Sequence, residues 1–209
     1  NMNCGGLKRF FWIFCAMLVL PGWAGNCLKY KVSPRVSLSV PEWKMQIVQP
    51  KEQMNFWHGN VLATLVDNYE LITDVEQVDG GYCVFLKKVK AQVGYKDFLV
   101  HIDSRHAPQT CGYDAILEHE KKHVLAYLSL VDDMKEDVKE GVEDAADSVM
   151  PAFVKNLADI PSVIDSMNLD LRTHPNLILV KQKLQAAQEI RNNQIDIKEN
   201  GADLNECAK

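Results

Sequence analysis

Residues 110–128 of the chain read TCGYDAILEHEKKHVLAYL, and the pattern of the sequence changes at this stretch. From here onward apolar residues recur at three- and four-residue intervals, the spacing that keeps side chains on one face of an α-helix. Thr110 is a suitable N-cap for such a helix. We therefore predict one long amphipathic helix that continues past the quoted stretch, until Pro151 interrupts it. Its apolar stripe consists of Ile116, Leu117, Val124, Leu128, Val131, Met134, Val138, Val142 and Val149.

Upstream of this helix the chain carries strand patterns. Residues 95–103, YKDFLVHID, alternate between two faces, with Phe98, Val100 and Ile102 on one of them. Asp79-Gly80-Gly81 lies between two apolar flanks and predicts a β-hairpin. Shorter strand-like segments occupy residues 36–40, 45–48 and 60–66.

A second helix start is predicted near the end of the chain. In Thr173-His174-Pro175, Thr173 is a suitable N-cap and proline is common in the first turn, so a last helix is expected from there to about Gly201. These patterns together predict an α+β fold, in which a small antiparallel sheet precedes the helices. We expect one domain over residues 25–209, with mainly strands in residues 25–108 and mainly helices in residues 109–209.

The first 24 residues have the anatomy of a secretory signal peptide. Lys8 and Arg9 form a basic start, residues 10–20 form an apolar run that is short for a bilayer span, and Ala24 is a suitable cleavage point. We therefore expect a periplasmic or secreted protein that begins near residue 25 and keeps no stable membrane anchor. An uncleaved N-terminal anchor is the alternative interpretation.

Composition and charge limit the classes of function. The 209 residues are 47% hydrophobic and 24% charged, values typical of a globular protein. The formal net charge is −5. An acidic balance argues against nucleic acid as a partner, because sequence-independent binding depends on clustered Lys and Arg.

Two of the six cysteines lie in the predicted signal segment. The remaining four form an even set, which in an exported chain predicts two disulfides with three possible connectivities. We favour Cys83–Cys111, which would tie the sheet to the start of the long helix. Cys27–Cys207 would then join the two termini. The spacing alone leaves the other two connectivities open.

Residues 119–123, HEKKH, form an H-E-x-x-H motif inside the predicted helix. Because residues four apart lie on one helix face, His119 and His123 can both reach one zinc ion. Glu120 lies beside them and is placed to take a proton from zinc-bound water. Two hydrogen-bonded core histidines, with Glu120 in an ion pair, are the alternative interpretation. The face that would point inward also contains Ile116, Tyr127 and Leu130.

The predicted strand and helix around the motif resemble the edge strand and active-site helix of zincin metallopeptidases. More narrowly, the segment is similar to uncharacterised exported bacterial families of predicted zinc-dependent proteases. In those families a cysteine and an aromatic residue precede the motif, as Cys111 and Tyr113 do here. The resemblance covers about residues 80–130. It implies that residues 98–103 pair with an extended peptide substrate through their backbone.

A zinc site of this kind needs a third protein ligand. Position 129 is serine, where metzincins have a third histidine, so that extended pattern is absent. The resemblance implies an acidic residue late in the chain, and we prefer Asp196 as that ligand. The other candidates are Glu189, Glu199, His101 and His106.

The acidic residues between positions 136 and 147 are not expected to reach the same ion. Glu136 lies 13 residues beyond His123, which is about 20 Å along a continuous helix. We interpret this acidic run as a solvated helix face.

Two classes of function follow from these observations. The first is an exported Zn²⁺-dependent hydrolase, a peptidase acting on peptide or protein substrates, with Glu120 as general base and His119, His123 and Asp196 as ligands. The second is a non-catalytic envelope binding protein with a degenerate or structural metal site. No pattern in the chain indicates a particular substrate or oligomeric state.

Overall fold

The computed structural model describes residues 27–52, 58–198 and 207. The predicted signal segment and the candidate ligand Glu199 lie outside the described residues. The strands are β1 (Arg35–Ser39), β2 (Met45–Val48), β3 (Gly59–Val78), β4 (Gly81–Ile102) and β5 (Ala152–Val154). The helices are α1 (Cys111–Asp133), α2 (Lys135–Ser148), α3 (Ile160–Arg172) and α4 (Pro175–Lys198), and Leu28–Tyr30 and Leu157–Asp159 form short 3-10 helices. The chain is thus a mixture of helix and sheet, consistent with the predicted α+β class.

A long hairpin organises the sheet. β3 pairs antiparallel with β4 along its whole length, so β5, β1 and β2 pair in turn along the opposite edge of β4. β5 is antiparallel to β4, whereas β1 and β2 are parallel to it. The prediction of a wholly antiparallel sheet is therefore wrong for two strands. The reason is that β3 reverses the chain, and β4 then returns in the direction of β1 and β2.

Two register shifts keep one face of β4 apolar. Opposite β3, one extra β4 residue is accommodated at Lys87 and another next to Asp97, whose φ is 52°. Each bulge moves the alternation by one residue, so the helix-facing side remains apolar along the strand. The predicted alternation of Phe98, Val100 and Ile102 is confirmed. The buried residues of this face are Val84, Leu86, Val89, Ala91, Val93, Tyr95, Phe98, Val100 and Ile102.

The helices cover this face in two groups. α1 packs over the end of the hairpin that lies away from the β3–β4 turn. There Ile116, Val124 and Tyr127 contact the Tyr95–Ile102 part of β4. α2, α3 and the first half of α4 cover the middle of the sheet. The acidic residues of α2 between positions 136 and 147 are exposed, which confirms that they form a solvated face.

The prediction of one continuous helix as far as Val149 is wrong, because the helical stretch breaks at Met134 (φ −99°, ψ 7°) between α1 and α2. Because of the break, the apolar stripes of α1 and α2 pack against different parts of the sheet.

The N-cap prediction for α1 is confirmed, since Thr110 Oγ1 accepts a hydrogen bond from Tyr113 N at 3.3 Å.

The predicted N-cap of the last helix is also wrong. Thr173 ends α3, and its hydroxyl donates to the Leu169 carbonyl oxygen at 2.8 Å. α4 begins at Pro175. Because α3 extends to Arg172, Thr173 is the C-cap of α3 and not the N-cap of α4.

The two predicted disulfides are present, but the favoured pairing is wrong: the bonds are Cys27–Cys83 and Cys111–Cys207. Cys83 lies near the start of β4, and α1 begins beyond the other end of that strand. The separation is about 60 Å along the strand, far beyond the reach of a disulfide. Both bonds fit an oxidising compartment. Within the described ranges, no helix is long and apolar enough to cross a bilayer.

Candidate metal centre

The connection between β4 and α1 is held by a buried carboxylate. Asp103, the residue after β4, is fully buried, and its Oδ1 accepts hydrogen bonds from the backbone N and the Nε of Arg105, both at 2.8 Å. The backbone N of Asp103 donates to the His58 carbonyl oxygen at 2.8 Å. These contacts join the end of β4 to the residue before β3, and α1 begins a few residues later against both strands.

Three predicted ligands come together between α1 and α4. His119 Nε2 lies 3.2 Å from Asp196 Oδ1, and His123 Nε2 lies 3.0 Å from the same oxygen. The two Nε2 atoms are 3.2 Å apart. Among the described residues this is the group of His, Cys, Asp and Glu side chains that could hold a metal ion.

The spacing of these three atoms suits zinc. In a tetrahedral site with metal–ligand bonds of about 2.0–2.1 Å, neighbouring ligand atoms are about 3.3 Å apart. The observed separations of 3.0, 3.2 and 3.2 Å are close to that value. Two imidazoles and one carboxylate are also a donor set that zinc accepts in catalytic sites, with a fourth position left for water or substrate.

Glu120 lies at the same cavity and is only 4% exposed. Burial raises its pKa to about 7; His119 opposes this shift, and the Asp196 carboxylate adds to it. Gly59, at the start of β3, lies directly against the carboxyl. A Cβ atom at Gly59 would lie 2.5 Å from Glu120 Oε1 and 2.7 Å from Ile116 Cγ2, so glycine is required for this close approach.

The three candidate ligands line a cavity of about 220 Å³ that is open to solvent. α1 forms one wall, the second half of α4 forms another, and the start of β3 forms the third. The cavity is lined by Gly59, Asn60, Val61, His119, Glu120, His123, Tyr127, Asn192 and Asp196.

The other candidate ligands lie elsewhere. Glu189 is exposed and precedes Asp196 by two helical turns, about 10 Å. His101 Nδ1 contacts Asn60 Oδ1 at 2.9 Å, and His106 Nε2 contacts His58 Nδ1 at 2.9 Å. Neither histidine joins the group formed by the three ligands.

Sequence reasoning missed the polar residues of α4 that support the ligands. Asn192 Oδ1 lies 3.1 Å from His123 Nδ1, and Asn192 Nδ2 donates to the Tyr127 hydroxyl at 3.2 Å. Gln188 Nε2 donates to the same hydroxyl at 3.0 Å. The sequence contains a pattern that could have identified them, because Gln188, Asn192 and Asp196 follow one another at four-residue intervals on one helix face.

The expected peptide-binding strand is also wrong. Residues 98–101 of β4 pair with β2 on one side, and residues 99–102 pair with β3 on the other. This part of β4 therefore lies inside the sheet and has no open edge for a peptide. The part of the sheet that lines the cavity is the start of β3.

No protein-family model, curated protein or solved structure matches this chain.

Proposed function

We propose that the protein is a zinc-dependent hydrolase that cleaves peptides or proteins. The observation that carries this proposal is the convergence of His119 Nε2, His123 Nε2 and Asp196 Oδ1 beside the buried Glu120 carboxyl in one open cavity. Three protein ligands and an accessible fourth position are typical of catalytic zinc and less so of structural zinc, which is usually enclosed by four protein ligands.

The chemistry would be hydrolytic. Zinc bound by these ligands would act as a Lewis acid and make a water nucleophilic at neutral pH. Glu120 would accept a proton from the attacking water and pass it to the leaving amine. In the metal-free protein burial raises the pKa of this carboxyl to about 7, so Glu120 is a group that can hold a proton as well as release one. Gly59 helps by leaving room for the carboxyl against β3.

We place the substrate along the start of β3. One edge of Gly59–Val61 pairs with β4, and no strand pairs with the other edge among the residues that the structure describes. Gly59, Asn60 and Val61 all line the cavity. A peptide extended along the free edge would form backbone hydrogen bonds there, and its scissile carbonyl would lie near Glu120.

The first test is the metal content of protein purified without chelator. We expect about one zinc per chain by elemental analysis and almost none in His119→Ala, because that change removes one of three ligands. Absence of stoichiometric metal in the wild-type protein, even after zinc is added back, would contradict the proposal.

The second test is hydrolysis of a peptide library by the zinc-loaded protein. We expect Glu120→Gln to lower the rate roughly 10²–10⁴-fold with zinc content unchanged, because the variant keeps the shape of the side chain but cannot accept a proton. The matched control is Glu118→Gln, the same change at an exposed position on α1. Stoichiometric zinc without any Glu120-dependent hydrolysis would instead favour a non-catalytic metal-binding protein.

A further inference from the structure

Two rows of side chains face each other across the metal centre. His119, His123 and Tyr127 project from α1 at four-residue intervals, and Gln188, Asn192 and Asp196 project from α4 at the same intervals. The rows run in opposite directions. Asp196 meets the two histidines, Asn192 meets His123 and Tyr127, and Gln188 meets Tyr127.

The hydrogen bonds in this interface have a defined direction. The amide oxygen of Gln188 can only accept, so the Tyr95 hydroxyl that contacts it is the donor. The Gln188 amide nitrogen then donates to the Tyr127 hydroxyl at 3.0 Å, and the Asn192 amide nitrogen donates to the same hydroxyl at 3.2 Å. The Asn192 oxygen faces His123 Nδ1 at 3.1 Å, and in this orientation of the amide Nδ1 is the donor.

Turning both amides round would present two carbonyl oxygens to the Tyr127 hydroxyl, which has one proton to donate. Turning Asn192 alone would place its amide nitrogen against His123 Nδ1, which could accept that hydrogen bond only with the imidazole proton on Nε2, the nitrogen that faces the metal position. Tyr95 and Tyr127 are 2% and 7% exposed, so water does not readily replace a missing partner. Burial also raises the pKa of Tyr95 to about 12, so its hydroxyl remains a donor at every pH at which the protein would function.

The orientation of the Asn192 amide decides which nitrogen of His123 carries the proton. With the proton on Nδ1, the Nε2 lone pair points toward Asp196 Oδ1, 3.0 Å away. A lone pair and a carboxylate oxygen at that distance repel each other unless a cation lies between them. The arrangement therefore prepares His123 Nε2 as a metal ligand.

We propose that Asn192 is a positioning residue for the metal centre: its side-chain oxygen holds the proton of His123 on Nδ1, while its amide nitrogen contacts the Tyr127 hydroxyl. This inference rests on the proposed zinc site. Residues that hydrogen-bond to a metal-bound histidine affect metal affinity by about 10–100-fold when they are removed.

The test compares zinc affinity, measured by chelator competition, in two single variants of the full chain. Asn192→Ala is expected to bind zinc about 10–100-fold more weakly than the wild-type protein. Asn193→Ala is the matched control, since it removes the same side chain at an exposed position one residue along α4, and its affinity is expected to equal that of the wild-type protein. Equal affinities in the two variants would overturn the proposal.

A conservative variant separates positioning from packing. In Asn192→Asp a carboxylate oxygen can still accept the Nδ1 proton, so we expect zinc affinity within about threefold of wild type. A loss as large as that in Asn192→Ala would mean that the helix contact matters and not the acceptor. That result would also overturn the proposal.

The last measurement needs no variant. In the zinc-loaded protein the ¹⁵N shifts of His123 are expected to show zinc on Nε2 and the proton on Nδ1, and zinc on Nδ1 would contradict the proposal. Failure of this inference can be distinguished from failure of the proposed function. If the wild-type protein binds no zinc, both fail, whereas zinc binding that is insensitive to Asn192→Ala removes only the role of Asn192.

Discussion

The two halves of α4 are held in different ways. In the first half, Leu177, Val180 and Leu184 are at most 8% exposed, and Leu177 and Val180 belong to the core cluster that also contains residues of the sheet and α2. In the second half, none of residues 185–198 is fully buried. This half makes several polar contacts with α1, and they include those of the proposed ligand Asp196.

This difference separates stability from ligand geometry within one helix. Apolar contacts contribute most of the free energy of folding but tolerate small changes in orientation. Hydrogen bonds and ion pairs contribute less in net energy, but they depend strongly on distance and angle. The first half therefore anchors α4, and the second half orients the side chains that would complete the proposed metal centre.

The largest expected effect lies in the second half. Asp196→Ala should weaken zinc binding roughly 10²–10³-fold, because it removes one of three protein ligands. The stability of the metal-free protein should change by less than about 1 kcal/mol, since the carboxylate is partly exposed. Isothermal titration and denaturant unfolding measure the two quantities. Glu189→Ala, at the competing candidate ligand on the same helix, is the control, and an equal loss of affinity there would contradict the assignment.

A change in the first half should have the opposite profile. Leu184→Ala removes a side chain that is 2% exposed, so we expect a loss of about 2–5 kcal/mol in the free energy of unfolding. Zinc affinity of the folded protein should remain within about twofold of wild type, as expected for distant, independent sites. Leu179→Ala, at a half-exposed position of the same half, is the control. A large loss of zinc affinity in Leu184→Ala would erase the distinction between the two halves.

The buried Glu120 carboxyl on α1 should make the stability of the metal-free protein depend on pH. The pKa of Glu120 is raised from 4.5 to about 7 in the folded protein by burial. The folded state therefore binds this proton more tightly than the unfolded state does. The resulting contribution to the free energy of unfolding is complete below pH 4.5 and is lost as pH rises through 7. We expect the metal-free wild-type protein to lose up to about 3 kcal/mol relative to Glu120→Gln across this range.

Denaturant unfolding with chelator at pH 5 and pH 8 checks this expectation. The two proteins differ only at residue 120, so the difference in their pH dependence reports the ionisation of the Glu120 carboxyl. A parallel pH dependence in the two proteins would mean that Glu120 ionises as readily in the folded state as in the unfolded state.

The smallest expected effect concerns the ion pair between Arg191 and Asp133. Arg191 Nη2 lies 2.6 Å from Asp133 Oδ2, and both groups are partly exposed. Arg191→Ala should cost at most about 1 kcal/mol of global stability. Hydrogen exchange of the amides in residues 191–198 should nevertheless become faster, because the second half has no buried side chain to hold it. An equal increase in residues 175–184 would show that the helix opens as one unit.

The parts of the fold that follow from local pattern were predictable. The N-cap at Thr110, the apolar stripe of α1 and the proximity of His119 and His123 depend on residues within a few turns of one another. Asp196 lies 73 residues from His123, and it was favoured only because of the family resemblance.

The parts that depend on distant pairing were not predictable. The bulges at Lys87 and Asp97 interrupt the alternation of β4, so the sequence suggests several short strands in place of one long hairpin. Without the length of that hairpin, the distance between Cys83 and Cys111 could not be judged. The parallel pairing of β1 and β2 depends on which edge of β4 is free, which no local window contains.

The disulfide connectivity has a consequence for how the protein matures. Cys27–Cys83 and Cys111–Cys207 close two loops that follow each other along the chain without overlapping. When the chain enters an oxidising compartment from its N-terminal end, each of these bonds joins two cysteines that emerge consecutively. Native pairing can therefore be reached by successive oxidation, without exchange between wrongly paired thiols. All three proposed zinc ligands lie in the second loop, so the proposed metal centre can form only after Asp196 has emerged, 11 residues before Cys207.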